Sequence, residues 1–465
     1  VDVRIAPGQS IQQEVDARPA GTSFLLAAGV HRLTTVEPKQ GNRFYGELGS
    51  DCARLTTLSG ARLLTGFTHS GSTWAVSGQD QQGQVHGQCS SGWTRCDRPE
   101  DVFVNDRPLR HVASLSEVGP GRYFFNYDTD TVYIGDDPAG QRVEIATARH
   151  AFGPSADDVV IQGLVIEKYA IPAQMGAIGD QFPRARWRVE NNEIRLNHCT
   201  GLMLGAGGIA RGNHLHDNGQ QGFGATGAGV VLEGNEIAGN NYAHVDPGWE
   251  AGAMKIQRTQ NAVVRSNCVH HNAGPGIWLD IDNTNALIED NVVFSNDEMG
   301  IFFEISQGAT IRDNRVGHNG RISPGWLYGA NILISTSTNA DVHHNYVEVD
   351  AAFGNAITVI WQPRVDDNGN PYAGTGSGVH DNEVTFLGGT GVQGAASDFP
   401  QGRDQIFATN SFSANTYHVG DPGGAHFAWA NDNQLTFAGF QSNGRDTTGR
   451  LDTTVTARSW SCGMS

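Results

Sequence analysis

Positive charge is scarce in this chain. Lys and Arg number 31 against 49 Asp and Glu, a formal net charge of −18 over 465 residues. Neutralising phosphates needs clustered cations, so a general nucleic-acid binder is excluded. An anionic membrane surface or a highly charged polyanion is disfavoured as partner for the same reason. Charge of either sign is thin, at 17% of residues against about 25% in average proteins. No apolar run reaches the roughly 18 residues that a membrane-spanning helix needs. A G-x-S-x-G element is absent, which leaves a Ser-His-Asp hydrolase without support. The Gly-rich stretch from Gly222 to Gly229 lacks the following helix and the Lys-Ser/Thr of a phosphate loop.

Cysteines are few: Cys52, Cys89, Cys96, Cys199, Cys268 and Cys462. No pair has zinc-ligand spacing, so no metal site is expected from them. Cys89 and Cys96 bracket a polar loop, CSSGWTRC. A local disulfide is the preferred reading, two buried thiols the bland one, and the partners of the other four stay open. A disulfide favours an extracellular setting. Val1 opens the chain without Met and without a basic-then-apolar leader, so a signal either has been removed or lies outside this sequence.

What the chain has in quantity is glycine, 60 residues, and a repeat. WRVENNEI, IARGNHLH, VLEGNEIA, VVRSNCVH, LIEDNVVF, TIRDNRVG, DVHHNYVE and GVHDNEVT share an Asn, at 192, 213, 235, 267, 291, 314, 345 and 382. The gaps of 21, 22, 32, 24, 23, 31 and 37 give a base period of 21–24 with insertions. That is one coil of a parallel β-solenoid. The leucine-rich frame of similar period is missing. Short Val/Ile/Phe strands meet Asn and Gly corners, where a left-handed backbone is tolerated. Stacked Asn side chains can form amide ladders, so these Asn are read as structural.

The pattern resembles the right-handed parallel β-helix superfamily of pectate-lyase-like proteins over roughly residues 150–440. The expected class is all-β, a parallel β-helix with an inserted small β-sandwich-like domain. Residues 1–60 hold a helix cap, IQQEVDA behind Ser10, and the first coils. Residues 61–150 break the repeat with hairpin signals and form the insert. Residues 151–440 form the helix with its functional face, and 441–465 a C-terminal cap. Fold alone does not give chemistry.

Three consecutive coils align: AMKIQR from Ala253, IWLDID from Ile277 and IFFEIS from Ile301. Period-two alternation sends Met254, Ile256, Leu279, Ile281, Phe303 and Ile305 inward. Lys255, Gln257, Asp280, Asp282, Glu304 and Ser306 then face outward, beside Trp278 and Phe302. Lys255, Asp280 and Glu304 read as one-coil neighbours. Adjacent strands lie about 4.8 Å apart, so Asp280 and Glu304 repel and one should stay protonated near neutrality. A retaining glycosidase needs such a pair, about 5–5.5 Å apart. The bland reading is a chance stacking on the surface.

The WLD and FFE segments resemble the active-site strands of the β-helix retaining xylosidases. The resemblance implies Asp280 as nucleophile and Glu304 as acid/base, with pentosides such as xylosides or arabinosides favoured among neutral glycans. An insertion, NNYAHVDPGWEAG, precedes Lys255 and reads as a pocket wall. On it, Glu250 is a candidate for sugar hydroxyls or for a salt bridge with Lys255. Trp249 and Trp278 are candidate stacking platforms, with surface packing as alternative. His244, Asp282 and Asn331 complete the candidate substrate-binding set, and Trp361 lies on a later coil of the same groove.

A polysaccharide lyase or epimerase on the same scaffold is the rival. It would use a base such as Lys255, with Asp280, Asp282 and Glu304 able to hold Ca²⁺ through oxygens. The hydrolase reading requires no cofactor. A non-enzymatic glycan-binding β-helix is the second rival; it accounts for the aromatics but not for stacked carboxylates beside a Lys. In every version the partner is carbohydrate, with neither nucleic acid nor membrane, and oligomeric state is left open.

Overall fold

The computed structural model describes residues 1–322 and 325–463. It divides into two units, Val1–Gly224 with Gly239–Ala251, and Ala225–Ala238 with Gly252–Ser465.

The first unit opens with the strand Val3–Ile5 and the helix Ile11–Ala17. Ser10 Oγ accepts from the Gln13 amide at 3.3 Å, and Ile11 and Val15 are the buried stripe. Coils follow, each turn adding short parallel strands to stacked sheets. Ser23–Leu26 pairs with Arg43–Gly46, then Val160–Gln162, Arg188–Glu190 and Ile209–Arg211 stack on it. A second face runs through Gly29–Arg32, Thr56–Ser59, Val165–Glu167, Glu193–Arg195 and His214–His216. Between these early coils lie two small sheets, of four and five strands. They share one apolar cluster, Val76, Val102, Tyr123, Phe125, Val132 and Ile145 among it. The strands Arg122–Asn126 and Thr131–Ile134 form a hairpin in which Asp130 takes a φ of 49°. Cys89 and Cys96 are disulfide-bonded; Cys52 and Cys199 are free thiols.

The second unit is built from three parallel sheets whose strands recur once per coil. The face that matters here carries Gly252–Gln257, Ile277–Asp280, Ile301–Glu304, Ala330–Ser335, Asn355–Trp361 and Gln393–Ser397. Among the described residues no helix is long and apolar enough to cross a membrane. The protein is an all-β parallel β-helix.

The repeated Asn residues form ladders. Asn291 Oδ1 accepts from the Asn267 amide and Nδ2 at 3.0 Å each, while Asn291 Nδ2 donates to Val264 O and to Asn314 Oδ1 at 2.9 Å. The column continues through Asn345, Asn382 and Asn415. In the first unit Asn192 donates to Asn213 in the same way. One detail corrects the sequence reading: the left-handed residue is not the ladder Asn but the one before it. Ser266, Asp290, Asp313, His344 and Asp381 all have φ between 52° and 57°. The turn thereby aims the next side chain inward, where it replaces water for two strand ends.

The tail is more than an end cap. The strand Arg450–Asp452 still pairs with Thr416–His418, so stacking passes the expected boundary at 440. Beyond it Trp460 Nε1 donates to Glu348 Oε1 at 2.8 Å, and Cys462 is bonded to Cys268, 194 residues earlier. Two disulfides are consistent with an extracellular protein.

Candidate active site

A second corner explains the local course of the site strands. It is a ladder of Thr259, Asn283, Ser306 and Ser337, and left-handed residues precede each, at Arg258, Asp282, Ile305 and Thr336. The strands therefore stop at Asp280 and Glu304. Alternation ends there as well. Ile281, expected inward, sits in the turn with a φ of 61° and is only half-buried. Ser306, expected outward, points in, where its hydroxyl accepts from Asn283 at 3.1 and 3.2 Å and donates to Glu304 O at 2.7 Å. Asn283 Nδ2 donates to Asp280 O at 2.9 Å. The corner thus holds the backbone carbonyls of both acidic residues.

Ile277, Trp278 and Leu279 pair with Ile301, Phe302 and Phe303, so Asp280 and Glu304 are next in register. Lys255 is not their one-coil neighbour: it pairs with Trp278, and Gln257 pairs with Asp280. Lys255 reaches Asp280 on the diagonal, Nζ to Oδ2 3.0 Å, with its ammonium 4.3 Å above the Trp278 ring. The face is outward but not solvated. Lys255, Asp280 and Glu304 are 7%, 5% and 9% exposed. Met299, Leu327, Leu333 and Ile360 pack with Trp278 and Phe302 in one cluster over it.

The two carboxyls live differently. Asp280 Oδ2 has the Lys255 ammonium, and Oδ1 is buried with no hydrogen-bond partner among the described residues. Glu304 is pushed up from its ordinary value to about 7, first by burial and second by the charge of Asp280. Burial outranks the neighbouring carboxylate, which reverses the emphasis of the sequence reading. Opposing the rise are Arg364, Nη1 to Oε1 3.0 Å, and Trp278 Nε1, which donates to Oε2 at 3.2 Å.

Other expected contacts are redistributed. Trp278 cannot serve as a sugar platform: one face carries Lys255, and Phe302 stacks at 5.6 Å between centroids. Its work is the indole N–H on Glu304. Asn331 is fully buried; its Oδ1 accepts from Asn319 and its Nδ2 donates to Glu348 O and Asn355 O. It is a ladder residue, not a substrate contact. Asp282 is exposed and accepts from Tyr372 OH at 2.6 Å. Trp361 is buried, with Gly374 and Gly402 against its ring.

Three candidates belong to the first unit. His244 stacks on Trp93 at 3.7 Å, Trp249 meets His86 edge-on and packs near the Cys89–Cys96 bridge, and Glu250 accepts from Gln174 Nε2 at 3.0 Å. Asp280, Asp282 and Glu304 do not fit a Ca²⁺ cage. An ammonium and a guanidinium already engage two of them, and the third is bonded to a phenol.

Arg364 escaped the sequence reading. It lies on a segment between Asn355–Trp361 and the strand Gly378–His380. The signal was the gap of 37 between Asn345 and Asn382, the longest of the series, with a single basic residue inside the inserted stretch.

A family model described as "Right handed beta helix region" matches residues 181–347. No curated protein matches the sequence. Among solved structures, XylC in complex with xylose aligns with a TM-score of 0.67 at 15% identity, over 95% of this chain and 82% of that one. The A-module of the mannuronan C-5 epimerase AlgE4 from Azotobacter vinelandii aligns with a TM-score of 0.53 at 12% identity, over 98% of this chain and 100% of that one. These likenesses establish the right-handed parallel β-helix.

Proposed function

We propose that this protein is a secreted glycoside hydrolase that cleaves a neutral poly- or oligosaccharide by retaining double displacement. One observation carries the reading: of two neighbouring buried carboxyls, one is ion-paired with an ammonium and the other has its proton held up. Asp280 keeps a cation at 3.0 Å, while burial and the Asp280 charge hold the Glu304 proton up to about 7. A nucleophile must be ionised and an acid protonated at the same pH. Asp280 attacks the anomeric carbon as Glu304 protonates the departing oxygen. Glu304, now ionised, takes a proton from the water that releases the sugar from Asp280.

A neutral substrate follows from the charge count, since Lys255 and Arg364 each already face a carboxylate. Pentosides are favoured by the WLD and FFE motifs and by the likeness to XylC, whose structure holds xylose. The rival lyase or epimerase would draw on Lys255 as base, a residue committed to Asp280. The test is a panel of aryl glycosides and neutral glycans, with the first-formed anomer read by NMR. Retention supports the proposal; inversion, or an unsaturated product absorbing in the ultraviolet, refutes it.

A further inference from the structure

The segment of residues 362–377 is built to deliver one side chain. It braces itself: Val365 bridges to Pro371, Tyr372 N donates to Arg364 O at 3.0 Å, and Asp366 accepts from the Asn368 and Asn370 amides. It is also tied down at two of the site coils. Asp367 accepts from Arg258 Nη2 at 2.9 Å, just past the Lys255 strand, and Tyr372 holds Asp282, just past the Asp280 strand. The result is a guanidinium 3.0 Å from Glu304 Oε1, with half of its side chain in solvent at 42% exposure.

Resting on the glycosidase reading, we propose that Arg364 is a positioning residue for Glu304, set there so that one carboxyl can release a proton in the first step and accept one in the second. In step one the Glu304 proton passes to the glycosidic oxygen, the bond from that oxygen to the anomeric carbon breaks, and a bond from Asp280 to that carbon forms. In step two water adds to the carbon, the Asp280 bond breaks, and the water proton goes to Glu304. Arg364 changes in neither step. The groups facing Glu304 are few. Asp280 on the adjacent strand and burial favour the protonated form; the indole N–H of Trp278 and Arg364 favour the ionised form. Tyr328, bonded to Asp398, feels the Glu304 charge from the next coil, and Lys255 stands behind Asp280. Arg364 reaches Glu304 from the braced segment of residues 362–377. Without Arg364, Glu304 still starts protonated and serves as acid, but in the glycosyl-enzyme it takes a proton back from solvent and cannot serve as base, so the glycosyl-enzyme should accumulate.

The test uses the full chain labelled with ¹³C at glutamate carboxyls, the Glu304 signal being assigned by its loss in Glu304→Gln. In Arg364→Gln the Glu304 midpoint should rise by about one pH unit or more, and Arg364→Lys should restore it part way. With an aryl glycoside of good leaving group, Arg364→Gln should show a larger burst, kcat and KM falling together, and about tenfold rescue by azide. An unmoved or lowered Glu304 midpoint in Arg364→Gln, in a variant whose circular dichroism matches the parent, overturns the proposal. The titration needs no substrate, so the two readings fail separately. A raised midpoint in a protein that hydrolyses no glycoside sinks the glycosidase and leaves Arg364 in command of Glu304; retaining hydrolysis with an unmoved midpoint sinks Arg364 alone.

Discussion

The inner corner and the outer face of the same two strands are both buried, yet they treat polarity in opposite ways. At the corner, Asn283 and Ser306 are neutral: Asn283 donates to Ser306 Oγ and to the carbonyls of Ile256 and Asp280, and the Ser306 hydroxyl donates to that of Glu304. Two or three residues away on the outer face, two carboxyls and an ammonium share a buried site with a partly exposed guanidinium, and Asp280 Oδ1 has no hydrogen-bond partner among the described residues. An orphan buried oxygen costs about 1–3 kcal/mol. A stack selected only for stability has no reason to keep it. The corner shows what the fold does with buried polar groups when it is free to satisfy them, and the face shows where something else is demanded.

The comparison breaks most sharply at Asp280. Asp280→Asn should lower turnover roughly 10⁴-fold or more. Because the side chain is buried and the change removes the ion pair with Lys255, it should also lower the melting temperature; full activity of Asp280→Asn would exclude Asp280 as nucleophile. Glu304→Ala should keep part of its activity on activated aryl glycosides and regain turnover with azide, a split that steady-state kinetics reads directly.

A pair of corner variants sharpens the same contrast. Asn291→Ala and Asn283→Ala each remove a ladder amide and should cost about 3 kcal/mol by denaturant titration. Only Asn283→Ala frees the Asp280 carbonyl, so it alone should lower kcat per folded molecule, by about tenfold. Equal kinetic effects of the two would mean that the corner does not position the carboxyls.

A further effect is a pH slope. Glu304 binds its proton more tightly folded than unfolded, with values of about 7 against 4.5. Its stabilising contribution is therefore full below pH 4.5 and is lost as pH rises through 7. Stability of Glu304→Gln relative to the parent should rise across that window. A flat difference would place Glu304 in a solvated setting.

The coils were legible because their signals are local. The Asn corners recur every 21–24 residues, and WLD and FFE lie one coil apart. What was not legible depends on which side chain crosses which. Lys255 was matched to Asp280 by counting, but strand register sets it beside Trp278 and it reaches its partner diagonally. Asn331 resembles any Asn near a groove, and only its partners at Asn319 and Asn355 reveal a ladder position. Arg364 meets Glu304 across 60 residues, through an inserted segment with no repeat to give it a phase. Trp278 was readable as outward, yet the apolar cover that closes over it comes from later coils.

In the retaining mechanism Asp280 becomes covalently bound to sugar. Incubation with 2-deoxy-2-fluoro glycosides bearing an activated leaving group, followed by peptide mass spectrometry, tests it directly. A glycosyl adduct is expected on the peptide containing Asp280, absent in Asp280→Asn. An adduct on another carboxyl, or none from the fluorinated form of a glycoside that the enzyme turns over, would contradict it.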